Sequence, residues 1–73
     1  MKADKKNLLA KFSKNIKVLR AKHGYTQEDV ANTIEINLVT YQKYESKNPC
    51  NIRISNIYLL AKLYNVSIDS LLE

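Results

Sequence analysis

Apolar residues at Leu9, Phe12, Ile16 and Leu19 recur at spacings of three and four, the interval that lines side chains along one stripe of an α-helix. Gly24 follows that stripe, as a glycine just past a helix end commonly does. Thr26 then has the character of an N-cap, with Asp29 three residues on approximating a capping box and Gln27 and Glu28 in the first turn. Val30, Ala31 and Ile34 give the short helix that follows an apolar face. Only Glu35 and Ile36 separate it from Asn37, a good cap for a further helix opening at Leu38. The segment from Ser46 to Asn51 reads as a loop, with Pro49 as breaker. Beyond it Ile54, Ile57, Leu60, Ala61 and Tyr64 form another helical stripe, expected to open near Ser55, and Ser67 caps a last short helix. The pattern predicts an all-α chain of five helices, preceded over residues 1–6 by a basic arm or first helical turn and forming one domain over 7–73.

Composition agrees with this reading. The 73 residues include one glycine and one proline, too little turn chemistry for a sheet of several short strands. An apolar fraction of 45% beside 26% charged residues belongs to a packed domain and not to a disordered tail. Cys50 is the single cysteine, which excludes an internal disulfide and fits a reducing compartment, so a cytoplasmic location is expected. No apolar run approaches the roughly 18 residues of a membrane span, and "MKADKKNLLAKF" lacks the apolar core of a secretory signal. The net charge of +5 points towards a polyanionic partner such as nucleic acid.

The stretch "TQEDVANTIEINLVTYQKYE" places Gln27 at a helix start, Ala31 four residues later, and apolar Val30, Ile34, Ile36, Tyr41 and Tyr44 around them. In these residues the chain resembles the lambda-repressor-like (XRE/Cro-type) helix-turn-helix family, with the motif over about residues 26–46. The likeness extends from about Ile16, through Leu19-Arg20, to "LLAKLYNVSIDSLL". Alanine suits the point where two helices cross, because a larger side chain would hold their axes apart. Two departures stand out. Glu35 occupies the turn position where the family commonly has glycine, and a positive φ there would carry strain of order 1 kcal/mol. The loop after Glu45 also lacks the usual glycine.

The resemblance implies a compact lambda-repressor-like fold whose second motif helix enters the major groove of double-stranded DNA by its N-terminal tip. At about 100° per residue, Tyr41 and Tyr44 mark the core side of that helix, and Val39, Gln42, Lys43 and Ser46 lie opposite, with Leu38 at the edge. Val39 and Leu38 are then base-contact candidates, since the thymine methyl is the apolar feature of the groove. Gln42 suits adenine, and Lys43 suits guanine or a phosphate. Gln27, Thr40, Lys47, Asn51 and Arg53 are the phosphate candidates, with Tyr25 and the arm lysines Lys2, Lys5 and Lys6 as further possibilities. Arg20 and Glu45 correspond to a structural ion pair of the family. Val66, Ile68, Leu71 and Leu72 are candidates either for a dimer interface or for closing the monomer core.

Little in the chain supports other chemistry. His23 stands alone beside Gly24, Cys50 has no neighbouring ligand with which to hold zinc, and there is no phosphate-cradling glycine loop. Neither an enzyme nor a cofactor or metal is expected. The five tyrosines fall mostly on or beside apolar stripes and read as core or interface residues. The expected function is a transcriptional regulator, a repressor or controller acting as a homodimer on a two-fold-related operator. The alternatives are an antitoxin-like protein that binds a partner protein as well as DNA, and an interaction module that has lost DNA binding.

Overall fold

The computed structural model describes residues 5–47, 49 and 52–73. Among the described residues five helices run in chain order: α1 (Lys5–His23), α2 (Gln27–Thr33), α3 (Leu38–Tyr44), α4 (Ile54–Tyr64) and α5 (Ile68–Leu72). α1 packs along α5, α2 crosses α3, and α4 meets α5. Lys5 and Lys6 belong to the first turn of α1, one of the two forms expected for residues 1–6; residues 1–4, Lys2 among them, lie outside the described residues.

Local chemistry sets most helix ends. Thr26 and Asp29 form a reciprocal capping box at α2: the Asp29 N–H donates to Thr26 Oγ1 at 3.0 Å, and the Thr26 N–H to Asp29 Oδ2 at 2.9 Å. The Thr26 bonds hold the Asp29 carboxyl below its ordinary range. Asn37 caps α3 by accepting the Thr40 N–H at 2.8 Å, and Ser67 accepts the Ser70 N–H at the start of α5. α4 opens one residue before Ser55, with Arg53 as an N-cap that makes no side-chain cap bond.

Three helices stop in the same way, each with a left-handed residue after its last turn: Gly24 at φ 73°, Glu35 at φ 59° and Asn65 at φ 55°. At each, the next residue's N–H reaches back five positions, as in Tyr25 to the Arg20 carbonyl, Ile36 to Ala31 and Val66 to Ala61. The turn inside the motif is therefore the glycine-type turn, made here by a glutamate.

The core gathers Phe12 and Ile16 of α1, Val30 and Ala31 of α2, Ile34 at the end of α2, Tyr41 and Tyr44 of α3, Leu60, Ala61 and Tyr64 of α4, and Leu71 of α5. Buried Ala31 lets α2 and α3 approach closely. Two side-chain amides brace the bundle: Asn15 Nδ2 donates to the Leu71 carbonyl at 2.9 Å, and buried Asn56 Nδ2 donates to Tyr44 Oη at 2.8 Å. Both tie together helices that no local signal pairs.

α4 departs from its predicted stripe. Ile54 is 78% exposed and Tyr58 51% exposed, so neither is a core residue. The buried side of α4 is centred on Asn56, Leu60 and Tyr64, and Ile54 lies about a third of a turn away from it in the first turn of the helix. The Lys62 ammonium sits over the Tyr58 ring at 5.8 Å. Leu71, by contrast, is fully buried and closes the monomer core, one of the two roles expected of it, whereas Val66, Ile68 and Leu72 pack half-buried at the core margin.

Candidate nucleic-acid interface

The site begins with the way α3 is held. Tyr41 and Tyr44 anchor its inner side, with their rings 6.2 Å apart in a tilted pair. This leaves Val39, Gln42 and Lys43 exposed together on the outer side, Val39 at 62%. Leu38 is half-buried at the helix start, and Thr40 is half-buried on the flank. A β-branched apolar side chain thus projects into solvent between a neutral amide and a lysine.

The far end of α3 is fixed by Glu45. Its carboxylate accepts Arg20 Nε at 2.7 Å and Arg20 Nη2 at 3.1 Å, a two-pronged ion pair in which the glutamate side chain is 3% exposed and the arginine 18%. Arg20 Nη1 also donates to the Tyr25 carbonyl at 3.0 Å. Gln27 Nε2 donates to Glu45 Oε1 at 3.2 Å, and the Tyr41 hydroxyl donates to Oε2. One carboxylate thereby joins α1, α2 and α3.

The titration behaviour follows from this geometry. Burial works to raise the Glu45 carboxyl, but the hydrogen bonds from Arg20, Tyr41 and Gln27 outweigh it and hold the group below its ordinary value. The bond to Glu45 raises Arg20 in turn, and burial, with its own hydrogen bond to Glu45, pushes the Tyr41 hydroxyl far up. Within the physiological range the ion pair is permanent. It acts as a fixed strut for the presenting helix.

The phosphate candidates are dispersed. Gln27 is half-buried with one amide proton committed to Glu45, and the Thr40 N–H is taken by Asn37. Lys47 and Arg53 are exposed on either side of the loop after α3, while Asn51 lies outside the described residues, as does Cys50. Tyr25 is half-buried, stacked on His23 at 5.8 Å, which places that histidine in an aromatic cluster with Tyr64. The Arg20–Glu45 pair was legible in the sequence. The recruitment of Tyr41 and Gln27 to it was not, because both read as a core aromatic and a helix-start amide; the four-residue spacing of Tyr41 and Glu45 was the available signal.

A five-helix domain that braces a short helix from behind and leaves its outer side exposed is a helix-turn-helix protein. Residues 16–71 match the helix-turn-helix family, and the chain belongs to it, in its XRE-type branch. Membership makes it a DNA-binding regulator and not an enzyme. Among solved structures the chain is similar to a hypothetical transcription factor, NHTF, from Neisseria, with a TM-score of 0.83 and 29% sequence identity, covering 94% of this chain and 76% of the other. No curated protein matches. Among the described residues no helix is long and apolar enough to cross a membrane.

Proposed function

We propose that this chain is a sequence-specific regulator of transcription, of the repressor or controller type, which reads duplex DNA with the outer side of α3 and acts as a homodimer on a two-fold-related operator. The carrying observation is the exposed trio Val39, Gln42 and Lys43 on a helix whose opposite side is locked by Tyr41, Tyr44 and Glu45. Val39 reads a thymine methyl, Gln42 pairs with adenine, and Lys43 donates to guanine or a neighbouring phosphate, with Leu38 beside Val39 at the helix tip. Phosphate contacts from Gln27, Thr40, Lys47, Asn51 and Arg53 set the register without reading sequence. The similarity to a hypothetical transcription factor supports this reading.

Dimerisation is supported by physical need, since one seven-residue helix reads only a few base pairs and two linked copies multiply affinity and specificity. The apolar surface available for it comprises Ile54, Tyr58 and Leu59 on the outer side of α4, and the margin formed by Val66, Ile68 and Leu72.

Selection of bound fragments from random duplexes, followed by titration of the selected site with wild type and Val39→Ser, tests the reading. Val39→Ser is expected to lower discrimination for thymine-containing sites with little change in salt dependence. Retention of the wild-type preference removes the role of Val39. Failure of the wild type to associate with any duplex at low ionic strength overturns the reading as a whole.

A further inference from the structure

A cleft of about 290 Å³ opens between α1 and the turn that follows α3, lined by Ala10, Ser13, Lys14, Lys17, Glu45, Ser46 and Lys47. Three of these side chains are lysines, and none of the three forms an ion pair among the described residues. The one carboxylate at the cleft, Glu45, is already neutralised by Arg20 and occupied by Tyr41 and Gln27. The cleft is therefore strongly cationic.

Its hydroxyls are committed as well. Ser13 Oγ, from a buried side chain, donates to the Ser46 carbonyl at 3.0 Å and so fastens the turn to α1; Ser46 Oγ donates to the Lys43 carbonyl at 2.7 Å. The free donors are thus the ammonium groups, two from α1 and one from the turn. Lys14 and Lys17 are three residues apart on one side of α1, facing the same space as Lys47.

The cleft also lies beside the reading surface. Ser46, which lines the cleft, follows α3 within two residues, and both its N–H and its Oγ donate to the carbonyl of exposed Lys43, so the cleft adjoins the far end of the exposed side of α3. α3 is about 10 Å long at ~1.5 Å per residue, close to the roughly 12 Å width of a major groove. With the tip of α3 in the groove, its far end emerges at the groove's rim, where the phosphates are.

Resting on the DNA-reading assignment above, we infer that Lys14, Lys17 and Lys47 form a clamp for a backbone phosphate of the bound duplex, extending the contact surface from the motif onto α1. Gln27, Thr40 and Arg53 approach the backbone from other parts of the motif and its flanks, so this contact adds to theirs.

The test compares the salt dependence of duplex binding for wild type, Lys14→Ala/Lys17→Ala, and the charge-matched control Lys11→Ala/Lys22→Ala, whose exposed lysines lie on α1 outside the cleft. Each neutralised phosphate contributes about 0.9 to the slope of log K against log salt. The cleft variant is expected to lose about 1 from the slope with base preference intact, and the control less than half as much. Unaltered melting temperatures verify folding, with Lys14→Gln/Lys17→Gln as the second cleft variant. Equal slope losses in cleft and control variants, or a wild-type slope in both cleft variants, overturn the clamp while leaving the regulator reading in place. Saturable amide NMR shifts around Lys14 and Ser46 with inorganic phosphate alone, combined with an unchanged duplex slope, assign the cleft to a free anion and overturn it too. A wild type that binds no duplex overturns both proposals.

Discussion

Arg20→Ala tests the strut that holds α3 in place. The substitution removes both prongs on Glu45 and the bond to the Tyr25 carbonyl, leaving a carboxylate that is 3% exposed with only the Tyr41 hydroxyl and Gln27 amide as donors and no cation. Stranding one partner of a buried ion pair costs about 3–5 kcal/mol. Arg20 itself is 18% exposed, so water reaches the vacated space and the expected loss is at the lower end, about 3 kcal/mol at pH 7. Against the roughly 4–11 kcal/mol typical of a domain this size, that is a large share. In urea, with a slope of about 1 kcal/mol/M for a small protein, it moves the unfolding midpoint by about 3 M.

The pH dependence sharpens the test. In the wild type Glu45 titrates below its ordinary value of 4.5, so its contribution is fully present above that pH and is lost as pH falls through the lower folded value. Without Arg20 the largest opposing contribution is gone, so burial is expected to push the carboxyl up and protonation to relieve the variant as pH falls. The gap between wild type and Arg20→Ala should therefore shrink from pH 7 to about pH 4. Glu45→Gln is expected to cost less than Arg20→Ala, because the more exposed guanidinium can turn to water. A loss under about 1 kcal/mol at pH 7, as for a surface pair, or a gap that stays constant across this range, refutes the buried-strut reasoning.

Two further substitutions probe backbone and core. Glu35→Gly relieves a left-handed residue in the motif's turn and is expected to raise stability by about 0.5–1 kcal/mol, read as a higher melting temperature; an unchanged or lower value means that Glu35 carries no strain. The Tyr64 hydroxyl is buried with no hydrogen-bond partner among the described residues, and burial pushes it up to about 12. Tyr64→Phe should accordingly leave the melting temperature unchanged or raised, whereas Tyr41→Phe, which deletes a bond to a carboxylate, should cost about 1.5–3 kcal/mol. Equal losses in the two variants would contradict the assignment of a partner to Tyr41 alone.

The sequence by itself determined the helices, most of their caps and which side of α3 is exposed. Those properties depend on residues three or four positions apart: Thr26 with Asp29, Asn37 with Thr40, Tyr41 with Tyr44. The positive φ of Glu35 was legible only through the family resemblance, which puts glycine at that turn position. Only the tertiary structure decided which apolar positions met the core. Ile54 and Tyr58 have the right spacing on α4 but project into solvent, while Asn56, polar and off the predicted stripe, is buried against Tyr44. It also brought Lys14 and Lys17 to Lys47 across some thirty positions of chain. Periodicity records which side of one helix is apolar; the angle at which neighbouring helices cross settles how much of that side is covered and which distant charges come to share a cleft.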